Sequence, residues 1–342
     1  MALKRVTSLD VAKLADVSRT TVSLVLNNVP NVSIRKETRN RVFQAAKDLG
    51  YVPDAAAQAL VTQRSKAIGL VMTRSPHHIA SDTFLPQILG GLLKVINEHK
   101  FRLLIESVDQ EHQDKVYLEL ALAKHIDGII LLTPRINDKG LKKLEEFDIP
   151  TVLMGKISDS NLHSVDVDNY LAAKKATQYL IDLGHKNIAC IANANPSFSS
   201  ASERIQGFKE TLINANITPN EKLIRYADFD PQSGFDCMQS LIQSGEEFSA
   251  VFVTSDNVAI GANSALWEAK IRIPEDISVF GFDDIPWAAF ASPPLTTMRL
   301  PAQELASKAC LLLLDLMKGT KQENRHLVLE TELIVRQSCR RL

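Results

Sequence analysis

Ser18, Arg19, Thr20, Thr21, Ser23 and Leu24 stand within seven residues of one another, just after Asp16-Val17 interrupts a short apolar run. At the start of a helix, these residue types suit the reading of a nucleic acid. A helix capped by Ser18 offers free backbone N–H groups to a phosphate. Arg19 can donate to guanine O6 and N7, and threonine hydroxyls are permissive while their methyls can touch thymine. Leu24, otherwise an oddly exposed apolar residue, has the same use against a thymine methyl. Catalytic chemistry has no comparable foothold. The sequence holds no G-x-G-x-x-G, G-x-x-x-x-G-K-[ST], G-x-S-x-G or H-E-x-x-H, so nucleotide, hydrolase and zinc chemistry lack their usual devices. Cys190, Cys237, Cys310 and Cys339 are scattered, without C-x-x-C spacing or clustered histidines, which argues for free thiols and against structural zinc. His185 follows a helix end in Leu183-Gly184-His185 and reads as a partner of the helix dipole rather than a catalytic base.

Three short helices position the polar cluster. Thr7 caps the first, with Asp10 as the acidic half of a capping box ahead of Val11, Ala12, Leu14 and Ala15. Ser18 caps the second, Arg19 to about Leu26, whose Val22, Val25 and Leu26 make one inward stripe. The third runs from about Lys36 to Leu49, with Val42, Ala45, Ala46 and Leu49 inward and Gly50 as its stop. Tyr51-Val52-Pro53 forces an extended exit, and alanine-rich Asp54 to Thr62 is too short to be a stable helix alone. Two helices about a tight turn fit a helix-turn-helix. Any small three-helix domain shares this periodicity, so the plainer reading stays open at this point.

Charge is divided along the chain. Residues 1–66 carry eleven Lys/Arg against five Asp/Glu, a net of +6, leaving 28 against 35, or −7, for residues 67–342. A basic head on an acidic body fits a polyanion-binding module, although a solvated charged surface would look the same. At 342 residues the chain exceeds one hydrophobic core, and no apolar run approaches a membrane span. With no secretory signal at Met1-Ala2-Leu3-Lys4-Arg5, a cytoplasmic protein is expected. From Lys66 onward, β-rich runs alternate with helical windows. Those runs are Ala67–Met72, Phe101–Glu106, Gly128–Leu132 and Thr151–Met154, then Ile188–Ala192, Leu223–Tyr226, Ala250–Val253 and Ile277–Phe282. Two βαβ blocks in succession predict two α/β lobes, parallel sheets with helices on both faces, and a ligand site between them beyond the strand ends. The expected division is a head over 1–52, a hinge over 53–65 and a body over 66–342. The first lobe covers about 66–163 and 299–325, the second about 164–298 and 326–342.

These residues also carry a family resemblance. Val6 to Ala12, Ala15-Asp16-Val17-Ser18, Thr21-Val22-Ser23, Asn27, Thr38-Arg39 and Leu49 to Pro53 resemble the head of the LacI/GalR family of bacterial transcription regulators. Ile68 to Val71, Val167-Asp168-Asn169, Leu183-Gly184-His185, Arg204 with Gly207-Phe208, Ser255-Asp256, Ile277 to Val279, Gly281 to Asp284 and Pro294 to Thr297 continue it through the body. The resemblance implies a homodimer that binds a pseudo-palindromic operator, with a helix-turn-helix head and a two-lobed periplasmic-binding-protein-like body. It implies DNA contacts from Thr7, Ser18, Arg19, Thr20, Thr21, Ser23, Leu24, Asn27, Tyr51, Ala57 and Leu60, the last as an apolar wedge. It implies effector contacts from Phe84, which begins the first body helix, and from Arg204, Phe229, Ser255, Asp283 and Trp287. A carboxylate and a guanidinium fork suit the hydroxyls of a sugar, and no cofactor or metal is implied. Plainer roles exist for each: Phe84 and Trp287 in the core or a dimer contact, Arg204 in a surface ion pair, Asp283 capping a turn, Leu60 packing on the body.

Departures from the family pattern also stand out. Asn28 to Ile34 is about two residues longer than in many relatives, Asp54 stands for the usual asparagine, and Leu24 replaces a residue that is often basic. Ile68 to Met72, Arg74-Ser75-Pro76, Asp82-Thr83-Phe84 and Met154-Gly155-Lys156 are similar to the maltose-regulator branch, which makes a disaccharide or other α-glucoside the expected effector. A purine-type corepressed regulator and a global regulator dependent on a phosphorylated carrier protein are the alternatives within the family. A cytoplasmic sugar-binding protein or an enzyme is the alternative outside it. The chain ends at Arg340-Arg341-Leu342 without leucine heptads, so a dimer rather than a tetramer is expected.

Overall fold

In the computed structural model, residues 6–27, 32–54, 58–59, 64–108, 113–320 and 325–342 are described. The head consists of α1 (Ser8–Ala15), α2 (Arg19–Leu26) and α3 (Lys36–Asp48). Val11, Ala12, Ala15, Val22, Val25, Val42, Ala45 and Ala46 form its core. That is the inward stripe expected from their spacing, and Gly50 ends α3 with a positive φ of 62°.

The body holds two six-stranded sheets. The first contains β1 (Ala67–Met72), β2 (Arg102–Ser107), β3 (Gly128–Leu132), β4 (Thr151–Met154), β5 (His163–Val167) and β11 (His326–Leu329), in the order β11-β5-β4-β3-β1-β2. All five of its pairings are parallel. The second contains β6 (Ile188–Ala192), β7 (Ile224–Tyr226), β8 (Ala250–Val253), β9 (Ser278–Asp283), β10 (Thr296–Arg299) and β12 (Glu332–Ile334), in the order β12-β10-β9-β8-β6-β7. Among the described strands of this sheet only β12 runs antiparallel, against β10. Central strands such as β3, β4 and β8 are buried along their whole length, as parallel strands covered on both faces must be.

The sheets move the expected lobe boundaries. β5 pairs with β4, and β11 pairs with β5. Residues 164–167 and 326–329 therefore belong to the first lobe, not the second, and the chain crosses between lobes a few residues later than expected. β5 mixes polar and apolar residues, and β11 is a short, largely exposed edge strand, so neither stands out in a search for long apolar runs. The first helix of the body is α4 (Pro76–Ser81), so Phe84 does not begin it; Phe84 is the residue before α5 (Leu85–Glu98). The later helices used below are α8 (Asn169–Asp182), α9 (Ser199–Asn214), α11 (Asp256–Glu268) and α12 (Ala302–Met317), with α6 (Gln113–Leu122), α7 (Lys139–Glu146) and α10 (Pro231–Gln243) between them. α12 returns to the first lobe and lies on α5. A Cβ at Gly91 would stand 2.2 Å from the Gln303 carbonyl oxygen, so only glycine permits this approach.

Candidate functional site

The head presents one polar edge. Thr7 Oγ1 accepts from the Asp10 N–H at 3.4 Å and the Asp10 carboxylate accepts from the Thr7 N–H at 2.9 Å, completing the capping box. Asp16 takes the left-handed conformation, φ 52°, which turns the chain sharply between α1 and α2. Ser18 Oγ then accepts from Thr21 N–H at 3.0 Å and caps α2. Ser18, Arg19 and Thr20 are exposed at the positive end of this helix, with Thr21 and Ser23 half-buried behind them. Arg19 Nε donates to Ser8 Oγ at 2.9 Å.

One expectation for the head changes. Leu24 is half-buried rather than exposed. Tyr51 packs on the head core. Asn27 ends α2, its Nδ2 donating to Ser23 Oγ while its buried Oδ1 has no partner among the described residues. Ala57 and Leu60 lie outside the described residues, as does most of the Asn28 to Ile34 loop.

The second site lies between the lobes, beyond the carboxyl ends of the strands, where parallel sheets bind ligands. Phe84 of the first lobe, Arg204, Phe229, Ser255 and Asp283 of the second lobe line one cavity of about 90 Å³. Arg204, on α9, is buried. Its Nε donates to Asn169 Oδ1 at 2.9 Å, its Nη1 donates to the Thr254 carbonyl at 2.6 Å, and its guanidinium lies 3.7 Å from the centre of the Phe282 ring. Asp283 ends β9 with its Oδ1 3.9 Å from Arg204 Nη1 and its Oδ2 accepting from Ser255 Oγ at 3.0 Å. Thr133, Phe229 and Asp283 all line the cavity with positive φ, 58°, 66° and 115°. Non-glycine residues hold such backbones only where surrounding packing over-determines them, and such strain gathers at binding sites.

Burial sets the electrostatics. It pushes the Asp283 carboxyl up to about 7, against the pull of Arg204 and the Ser255 hydrogen bond. Buried Asp256, beside Asp283, is held well above the carboxylate range by desolvation and by that neighbour's charge. Asp256 accepts from Thr297 Oγ1 at 2.8 Å and from the Ile285 N–H at 3.0 Å, bracing the turn that follows β9.

Trp287 departs from expectation: it is 62% exposed and lies outside the cavity lining. It sits in the short turn Pro286–Phe290. Sequence reasoning missed Arg74, Asp82, Asn193 and Asn257, which do line the cavity. For Arg74 a signal existed, since it follows β1 at the carboxyl edge of the sheet. Asn257 fastens the lobes together: its Nδ2 donates to the carbonyls of Ser81 and Phe229, and its Oδ1 accepts from Thr83 Oγ1 at 3.0 Å. Arg135 adds a contact from the first lobe to Ser197 Oγ at 3.1 Å and to the Phe198 ring. Ligand pockets usually measure ~300–1,000 Å³. At 90 Å³ the lobes are drawn together, and a sizeable ligand enters only if they part.

His185 is a structural residue: fully buried, it meets Ser249 Oγ and the Arg340 carbonyl. All four cysteines are free. Among the described residues no helix is long and apolar enough to cross a membrane.

Known proteins share both parts. Residues 7–54 match the profile of bacterial regulatory proteins of the lacI family, and residues 177–339 match the periplasmic binding protein-like domain. The HTH-type transcriptional regulator CelR of Thermobifida fusca is 34% identical over 331 residues, 96% of each chain. The HTH-type transcriptional repressor CytR of Escherichia coli (strain K12) is 34% identical over 337 residues, 97% of this chain and 96% of that one. Among solved structures, a transcriptional regulator CelR-cellobiose complex has a TM-score of 0.74 at 33% identity, covering 98% of this chain and 100% of the other. The lac repressor dimer bound to operator and the anti-inducer ONPF has a TM-score of 0.85 at 28% identity, with the same coverage.

Proposed function

The chain belongs to the LacI family of bacterial regulatory proteins, and we propose that it is a repressor whose operator affinity is set by a sugar held between its lobes. It is a dimeric DNA-binding transcriptional regulator, not an enzyme. Our reading of the effector is a maltose-like disaccharide or other α-glucoside. The observation that carries it is the Arg204–Asp283 couple in a cleft flanked by Phe84 and Phe229. A carboxylate takes two vicinal hydroxyls, a guanidinium donates to ring or hydroxyl oxygens, and aromatic faces cover the apolar face of a sugar. The CelR-cellobiose complex favours a disaccharide as well.

In this reading Ser18, Arg19, Thr20, Thr21 and Ser23 face the major groove, with Thr7, Leu24, Asn27 and Tyr51 supporting the contact, and Ala57 and Leu60 enter the minor groove at the dimer axis. Occupation of the cleft alters how the two lobes sit on each other and so the spacing of the paired hinges, and only one spacing lets both fold on DNA. The regulator acts in the cytoplasm, bound to the nucleoid when on its operator. Ile260 and Trp267, seven residues apart on α11, Trp287 and Phe290 are exposed apolar side chains of the second lobe, and we assign them to the contact with the partner subunit.

Thermal-shift titration of the full chain with maltose, cellobiose, other sugars and purines tests the effector class. A sugar is expected to raise the melting temperature. Stabilisation by purines with none by sugars overturns the reading.

A further inference from the structure

The cleft contains a second arginine–aspartate couple, contributed by the first lobe. Arg74 Nη1 lies 2.8 Å from Asp82 Oδ2, and both side chains are more than nine-tenths buried. Asp82 is anchored separately, because its Oδ1 accepts from the backbone N–H groups of Phe84 at 2.7 Å and Leu85 at 3.1 Å. The Arg74 guanidinium sits 4.8 Å from the centre of the Phe229 ring, which belongs to the opposite lobe. Each lobe thus supplies a guanidinium, a carboxylate and an aromatic face to one cavity. The two couples differ in two respects: Arg74 and Asp82 are in direct contact whereas Arg204 Nη1 and Asp283 Oδ1 stand 3.9 Å apart, and Arg74 Nε is buried with no hydrogen-bond partner among the described residues.

A buried unsatisfied donor costs free energy unless something accepts from it, and this one lies in a side chain that lines the cavity. The charge of Arg74 is already matched by Asp82, and Nη1 faces that carboxylate. A bound carboxylate or phosphate would have to compete with Asp82 for the guanidinium charge. Here the anion would also stand against Asp82 and Asp283. A buried Nε–H on a guanidinium whose charge Asp82 already neutralises matches an uncharged acceptor instead.

Building on the sugar reading above, we propose that Arg74 and Asp82 are specificity-determining residues that restrict the cleft to neutral sugars, with Arg74 Nε donating to a hydroxyl or ring oxygen of the effector. Arg74 thereby ties the effector to the first lobe while Arg204 and Asp283 tie it to the second.

The test is calorimetric titration of the full chain, and of its Asp82→Asn and Arg74→Lys variants, with maltose, cellobiose, glucose and glucuronate. Asp82→Asn keeps an oxygen to accept from Phe84 and Leu85 while removing the charge that neutralises Arg74. Its affinity for glucuronate relative to glucose should rise at least tenfold over the parent. A role confined to folding does not produce such a gain. Arg74→Lys keeps a positive charge beside Asp82 but loses the planar fork, and should weaken binding of the neutral sugar by about tenfold, the worth of one hydrogen bond to a charged donor. An unchanged glucuronate-to-glucose ratio in Asp82→Asn, or parental sugar affinity in Arg74→Lys, overturns this proposal and leaves the sugar reading intact. Binding of none of the four sugars to the parent overturns both.

Discussion

Asp283 concentrates the chemistry of the cleft in one side chain. Burial lifts its carboxyl to about 7 while Arg204 and Ser255 hold part of the charge. Only the ionised form accepts from two hydroxyls. Effector affinity should therefore be full above the raised value and decline as pH falls through it, so titrations between pH 6 and 8 should show tighter binding at the alkaline end. Asp283→Asn should flatten that profile and weaken binding by about 10–150-fold, the range for lost hydrogen bonds to a charged group. An unaltered profile in the variant would place the titrating group elsewhere. At this scale the sequence is legible where a residue acts on its immediate neighbours. Thr7, Asp10 and Ser18 cap their helices as their spacing implies, because capping is settled within four residues. It is illegible where the outcome depends on remote packing. Nothing local shows that Trp287 turns outward, or that Asp82 folds back onto Arg74 under the Phe229 ring.

Helices and strands set what each residue can reach. The α2 helix has eight residues, short enough that its cap matters. Ser18→Ala should destabilise the head by about 1 kcal/mol and weaken operator binding in proportion, as read by a head-domain melt and a DNA titration of the full chain. Between α5 and α12, Gly91→Ala forces a Cβ onto a carbonyl oxygen and should cost about 1–3 kcal/mol in a thermal melt. Uniformly apolar strands such as Gly128–Leu132 and Ala250–Val253 are plain in the sequence because a strand buried on both faces must be apolar throughout. By contrast His163–Val167 alternates, and exposed His326–Leu329 sits at the sheet edge. The first makes no continuous apolar run and the second only the three residues Leu327 to Leu329, and without them the lobe boundary is misplaced by a few residues.

At the scale of the whole molecule, two lobes, a partner subunit and a duplex must agree. The assignment of Trp287 and Phe290 to the partner contact predicts that Trp287→Asp combined with Phe290→Asp halves the sedimenting mass from two chains to one. A dimer that survives both changes would move the contact elsewhere. Leu60→Ala should weaken operator binding on the order of tenfold or more, since a lost wedge no longer supports the unstacked base step, while sugar binding stays as it was. The two-lobe plan was readable from alternating strands and helices. The closure of the cleft was not, because it rests on contacts such as Asn257 with Ser81 and Thr83, 174 residues apart in the second case. The central claim is that occupation of this cleft and affinity for DNA are one linked equilibrium. The most direct test is fluorescence anisotropy of the full chain on duplex DNA from upstream of its own gene, with and without saturating maltose, and with cellobiose in parallel. A change in operator affinity of about 5–150-fold, the range of a ~1–3 kcal/mol coupling, is the predicted result. The same affinity with and without every sugar that binds the cleft would contradict it.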